Sequence, residues 1–90
     1  MTHSTKWYQY VVKCCDGSLY AGITTDLNRR INEHNGSSKG AKYTRSRRPV
    51  ELVYYKEYQN RSEAQSAEYK FKKLSRDKKI EIISRFKQQV

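Results

Sequence analysis

Hydrophobic positions along this chain follow two rhythms, one of period two and one of period three to four, and the switches between them mark its elements. Trp7 to Cys15 (WYQYVVKCC) is aromatic and β-branched and predicts a strand. Asp16-Gly17 is a hairpin signal, and Ser18 to Thr24 (SLYAGIT) is the returning strand. Thr25 and Asp26 can cap a helix from about Leu27 to Asn35, with Leu27 and Ile31 as its core stripe and Gly36 as its stop. Gly36 to Pro49 (GSSKGAKYTRSRRP) is polar and cationic, a loop with a helical turn near Ala41. Val50 to Tyr58 (VELVYYKEY) predicts a third strand. Asn60 or Ser62 caps a second helix with the stripe Ala64, Ala67, Phe71 and Leu74, and Ser75 restarts the chain as a third, with the stripe Ile80, Ile83 and Phe86. The order ββαβαα implies an α+β fold, a three-stranded antiparallel sheet flanked by helices.

The hairpin leaves one choice open. A two-residue turn at Asp16-Gly17 puts Tyr10 and Tyr20 on opposite faces and lines up Val12, Cys14, Leu19, Ala21 and Ile23. A three-residue loop, Cys15-Asp16-Gly17 with Gly17 left-handed, puts both tyrosines on one face.

Composition narrows the class. Ninety residues hold one core, so the chain is read as a single domain, 1–90. Only 36% of residues are hydrophobic, but eight Tyr and one Trp add buried area while keeping polar tips. Adjacent Cys14 and Cys15 point to opposite faces of a strand, so they are expected as reduced thiols. Neither they nor His3 and His34 have zinc-finger spacing. No apolar run approaches the ~18 residues of a membrane span. Met1 to Lys6 is polar and too short for a signal peptide. A soluble intracellular protein is the resulting expectation.

Charge changes the picture most. Lys and Arg number 19 against nine Asp and Glu, a formal net charge of +10. Seven basic residues and one acid lie between Arg29 and Arg48, and eight with two acids between Lys70 and Lys87. A merely solvated surface would intersperse the signs, so the excess points to a polyanion. Lys39, Lys42, Tyr43, Arg45, Arg47 and Arg48 are the candidate nucleic-acid contacts, to phosphate and by base stacking.

Binding alone does not require the remaining pattern. Tyr8-Gln9-Tyr10 sits on the first strand and Tyr20-Ala21-Gly22 on the second. Arg30 and His34 share one face of the first helix, and Glu68 lies on the second helix. Singly, each has a plainer reading: packed sheet aromatics, a phosphate clamp, a last-turn histidine, and a Glu68–Lys72 pair. Together they resemble the GIY-YIG nuclease family, with YQY in place of GIY and YAG in place of YIG. LYAGITTDLNRRINEHN followed by KGAKYTRSRRPVELVY is similar to its small stand-alone bacterial members. It is also similar to the nuclease subunit of endonucleases that cut branched DNA. The resemblance runs from about Trp7 to Ser75.

The resemblance implies metal-dependent hydrolysis of phosphodiester bonds in DNA, a place in DNA repair, and a divalent ion, Mg²⁺ or Mn²⁺, held by Glu68. Arg30 would neutralise charge growing on the phosphoryl oxygens. Tyr10 would be the general base, made more acidic by nearby cations, with His34 tuning it and Tyr20 positioning phosphate or water. Gly22 would leave room where backbone and substrate approach. Tyr8 stands where the family has the GIY glycine. Ile23 stands where some members have a basic residue, a part that Lys39 or Lys42 would take. Branched or single-stranded DNA is the expected substrate, with RNA not excluded. The rival readings are a non-catalytic nucleic-acid-binding module on the same scaffold and a nuclease subunit targeted by a protein partner.

Overall fold

The computed structural model describes residues 6–89, and the backbone alone at Gln89. Most of the polar opening Met1 to Lys6, with His3, therefore lies outside the described residues. The elements are β1 (Trp7–Lys13), β2 (Leu19–Thr24), α1 (Leu27–Gly36), α2 (Lys42–Arg45), β3 (Glu51–Tyr58), α3 (Arg61–Lys72) and α4 (Arg76–Gln89). The three antiparallel strands stand in the order β2-β1-β3. This is the expected α+β architecture, and the helical turn near Ala41 is α2.

β1 lies in the middle of the sheet, which is why Gln9, Tyr10, Val11 and Val12 are all buried although their side chains alternate between faces. Each face has its own small core. Val11, Ala21, Val53, Phe71 and Ile83 cluster under α3 and α4. Tyr10, Val12, Cys14 and Val50 cluster under α1, with Tyr20, Leu27, Ile31 and Leu52 against them. A bulge shifts the β1–β3 register between Val11 and Val12, so that Val53 and Tyr54 both pack with the α3/α4 core while Leu52 serves the other.

The hairpin adopts the three-residue loop. Gly17 has φ +86°, its N–H donates to the Cys14 carbonyl at 2.9 Å, and the Cys14 N–H donates to the Ser18 carbonyl at 2.8 Å. Val12 is then opposite Tyr20 and Tyr10 opposite Gly22. Only a residue free of a Cβ penalty takes that φ readily, and Gly17 decides which tyrosines share a face.

Asp26 caps α1 by accepting from the Arg29 N–H at 3.0 Å, and Asn60 caps α3 by accepting from Glu63 at 2.9 Å. Both thiols are free, Cys14 buried and Cys15 exposed. Ile80 departs from the expected stripe: it is exposed, and Ile82 packs in its stead beside Ile83. Ile80, Ile82 and Ile83 all fit a helical period, and only the angle at which α4 crosses β3 selects among them. Among the described residues, no helix is long and apolar enough to cross a membrane.

Candidate active site

Tyr10 stands on the α1 face of β1, opposite Gly22 on the outer strand β2. Its ring crosses the backbone of residue 22: a Cβ there would lie 2.6 Å from the phenol oxygen and 2.8 Å from the ring carbon bearing it. The missing side chain thus makes room for Tyr10 itself, where the sequence suggested room for substrate. The phenol reaches the Nε2 of His34 at 2.7 Å. His34 falls in the last turn of α1, three residues beyond the core-facing Ile31, and is fully buried. Its Nδ1 lies 2.9 Å from the hydroxyl of Thr44, also fully buried, on α2.

Burial governs both ionisable groups. Loss of hydration pushes the Tyr10 phenol up to about 12, although the Arg30 guanidinium nearby favours its ionised form. The cations that were expected to acidify this tyrosine are thus outweighed by desolvation. Burial, reinforced by Arg30, holds His34 down at about 4, against a smaller pull from Glu33. At neutral pH the pair is an un-ionised phenol hydrogen-bonded to an uncharged imidazole.

The other candidates gather around this pair. Tyr20 shares the face of Tyr10, sets its ring edge-on to His34 at 5.5 Å between centroids, and stacks on Tyr43 at 5.8 Å. Arg30 donates through Nη1 to Glu33 at 2.8 Å and to the Lys39 carbonyl at 2.8 Å, which fixes its guanidinium beside the phenol. Glu68 is four residues after buried Ala64 and three before buried Phe71, on the side of α3 that faces the sheet. Its carboxylate is close enough to disfavour ionisation of Tyr10, and it pairs with Lys72 at 3.2 Å.

A divalent cation can be tested against this donor set. Among the described residues, no three of His, Cys, Asp and Glu gather around one point, so a protein-built zinc site has no ligands. Mg²⁺ or Mn²⁺ asks for less, one or two carboxylates with water and substrate oxygens completing the shell. Glu68, only 20% exposed, fits as that single hard donor.

The cationic segment divides. Among the described residues, neither Lys39 nor Lys42 forms an ion pair, and both are exposed. Arg45 donates to the Ser38 carbonyl, and Arg47 to the Tyr43 carbonyl and the Asp16 carboxylate. Tyr43 stacks on Tyr20 and carries the Arg47 guanidinium 4.0 Å from its ring centroid, yet it remains 40% exposed. Arg48 departs furthest from expectation. Its guanidinium donates to the carbonyls of Glu33, His34 and Ser37, closing the C-terminal end of α1. Its Nε and Nη2 are thus engaged by backbone, holding the end of α1.

Several residues that build the site went unread in the sequence. Glu33 and Thr44 orient Arg30 and His34. The Asn35 amide exchanges two hydrogen bonds with the backbone of Val50 and ties α1 to the start of β3. Gly40 is buried where a Cβ would come within 2.6 Å of the Glu33 carbonyl, so it lets the cationic loop close onto α1. The one available signal was Thr44 at helical spacing from Ala41.

The sheet order, the paired tyrosines, and the arginine, histidine and acid on flanking helices define a known class of domain. The family model described as the GIY-YIG catalytic domain matches residues 6–81, and the chain belongs to that family. Within it, the chain is 54% identical over 82 residues to UPF0213 protein DP2720 of Desulfotalea psychrophila, covering 91% of this chain and 74% of the relative. It is 58% identical over 72 residues to a UPF0213 protein of Bacillus pumilus, covering 80% and 72%. Two solution NMR structures are similar. UPF0213 protein BH0048 of Bacillus halodurans aligns with TM-score 0.57 at 48% identity, covering 88% of this chain and 83% of that one. Protein EF2693 of E. faecalis aligns with TM-score 0.60 at 44% identity, covering 93% and 90%.

Proposed function

We propose that this chain is a divalent-metal-dependent endonuclease that hydrolyses phosphodiester bonds in DNA, with branched or single-stranded DNA as its preferred substrate. One observation carries the reading: the Tyr10 phenol is hydrogen-bonded to an uncharged buried imidazole at 2.7 Å, while Arg30 and Glu68 both act on its ionisation. A phenol held near 12 is no phenolate, so Tyr10 works as a relay. It takes a proton from the attacking water as it gives its own to His34 Nε2, and the hydroxide formed attacks phosphorus. His34 becomes imidazolium, which the growing phosphoryl charge alongside favours. Arg30, fixed by Glu33 and the Lys39 carbonyl, neutralises the phosphoryl oxygens. Tyr20 holds a phosphate oxygen or the water on the same face. Glu68 would hold Mg²⁺ or Mn²⁺, whose chemistry is Lewis-acid stabilisation of the leaving oxygen. Lys39 and Lys42 meet the flanking phosphates, in one domain with the catalytic groups, in the bacterial cytoplasm.

Two observations favour a second reading, a non-catalytic nucleic-acid-binding module or a subunit activated by a targeting partner. Glu68 is already paired with Lys72, and Tyr10 is only 1% exposed, so its hydroxyl is shut off from bulk water in this conformation. Cleavage assays on linear, single-stranded, flap and four-way DNA, with and without Mg²⁺ or Mn²⁺, separate the two. Metal-dependent products that disappear in Arg30→Ala and Glu68→Ala support hydrolysis. Equal background nicking in wild type and both variants sinks it, and salt-sensitive binding without cleavage leaves the binding module.

A further inference from the structure

We propose that Thr44 is a positioning residue that fixes the tautomer of His34, so that a bare Nε2 lone pair faces Tyr10. The inference deepens the hydrolytic reading and rests on it for its catalytic consequence, though not for its geometry. Thr44 comes from the cationic loop, where every neighbouring signal concerns phosphate, yet it is one of the few fully buried polar residues of the described chain.

A threonine hydroxyl has one proton to give. The Thr44 hydroxyl lies 2.9 Å from the Ala41 carbonyl, one turn back on its own short helix, and donates to it. Toward His34 Nδ1, also 2.9 Å away, the same oxygen can then only accept, and Nδ1 must carry the ring proton. Nε2 is left unprotonated, 2.7 Å from the Tyr10 oxygen, and the phenol donates to it. The four groups form one directed chain: Tyr10 O–H to His34 Nε2, Nδ1–H to Thr44 Oγ1, and the Thr44 proton to the Ala41 carbonyl.

One contact argues for the opposite tautomer. The Ala41 N–H points at Nδ1 from 3.4 Å, which would suit a bare Nδ1 with Thr44 donating to it. That arrangement gives up the 2.9 Å bond to the Ala41 carbonyl and gains only a contact near the limit of hydrogen bonding. It also turns Nε2–H onto a phenol oxygen that already faces the Arg30 guanidinium, a group with no acceptor atoms, and the buried Tyr10 proton would be left without a partner. The directed chain satisfies all of its members with bonds of ordinary length. A proton can move from Tyr10 to His34 only in this tautomer, because in the other the ring already carries hydrogen at Nε2.

Heteronuclear NMR of the imidazole nitrogens reads the tautomer directly, with His34 assigned by the disappearance of its signals in His34→Gln. In wild type the His34 proton is expected on Nδ1. Thr44→Val keeps the shape and removes the acceptor, and is expected to move population toward Nε2–H; Thr44→Ser is expected to restore the wild-type pattern. In cleavage assays kcat of Thr44→Val should fall on the order of ten- to a hundred-fold, as is usual when an orienting partner is removed, with KM little changed and Thr44→Ser close to wild type. If Thr44→Val does not fold, Thr44→Ala removes the same oxygen and carries the same expectation. A proton on Nε2 in wild type overturns the proposal, as does an unchanged tautomer without the Thr44 hydroxyl, or a shifted tautomer with undiminished cleavage. Should wild type cleave nothing, the hydrolytic reading fails by itself, and the spectra still decide whether Thr44 sets the ring.

Discussion

The ring of Tyr10 fills the space that a side chain at Gly22 would occupy, with the phenol oxygen only 2.6 Å from where a Cβ would stand. Gly22→Ala must therefore push aside a buried ring whose hydroxyl is fixed on His34. Overpacking of this kind destabilises by roughly 1–3 kcal/mol. The expected outcome is a folded protein with a lowered urea midpoint and little or no cleavage. An Ala variant with wild-type stability and cleavage would show that Tyr10 moves freely.

His34 makes stability depend on acid. Its pKa lies near 4 in the folded protein against an ordinary 6.5, so below pH 6.5 the unfolded chain binds a proton that the folded chain refuses. Stability from the neutral imidazole is complete above pH 6.5 and declines as pH falls through the window to about 4, by on the order of 3 kcal/mol. Urea unfolding at a series of pH values should show this slope in wild type and a weaker one in His34→Gln. An NMR midpoint for His34 near 6.5 would contradict it.

On the proposed function, Lys72 would compete with a divalent cation for the Glu68 carboxylate. The Lys72 ammonium lies 3.2 Å from Glu68 but is itself more than half exposed, so the pair contributes no more than about 1 kcal/mol to stability. Lys72→Ala should leave the unfolding midpoint nearly unchanged and lower the Mg²⁺ or Mn²⁺ concentration for half-maximal cleavage several-fold. Chelation with EDTA should abolish cleavage in both proteins. A raised metal requirement in Lys72→Ala would place the lysine on the substrate side instead.

Arg48 and Lys42 should separate stability from binding. Arg48 closes the end of α1 through three backbone carbonyls; in Arg48→Ala those of Glu33 and Ser37 keep the Ser37 and Gly40 N–H groups, while that of His34 loses its partner, at about 1–3 kcal/mol. Lys42→Ala and Lys39→Ala, at exposed positions, should preserve the unfolding midpoint. Each should weaken DNA binding and make the dependence of log K on log salt shallower by about one for every phosphate left without its lysine. An equal drop in stability in all three variants would refute the division.

Much of this protein is written locally. The period-two runs, the Asp16-Gly17 turn, the Asp26 and Asn60 caps and the one-sided charge depend on neighbours in the chain, and they led to the element order and the nucleic-acid expectation. The hairpin register was undecided at that level, because both loop lengths suit the same residues; folding chose the loop that unites Tyr10 with Tyr20. Tertiary structure alone decided that Gly22 shelters Tyr10, that Arg48 caps a helix, that Tyr43 meets Tyr20 and Arg47, and that Ile80 faces outward while Ile82 packs. The same holds for the protonation states of Tyr10 and His34. The physical reason is common to all of them. Desolvation and close packing belong to groups distant in sequence, such as Thr44 and Tyr10 on either side of one imidazole, and no local pattern records which of them will meet.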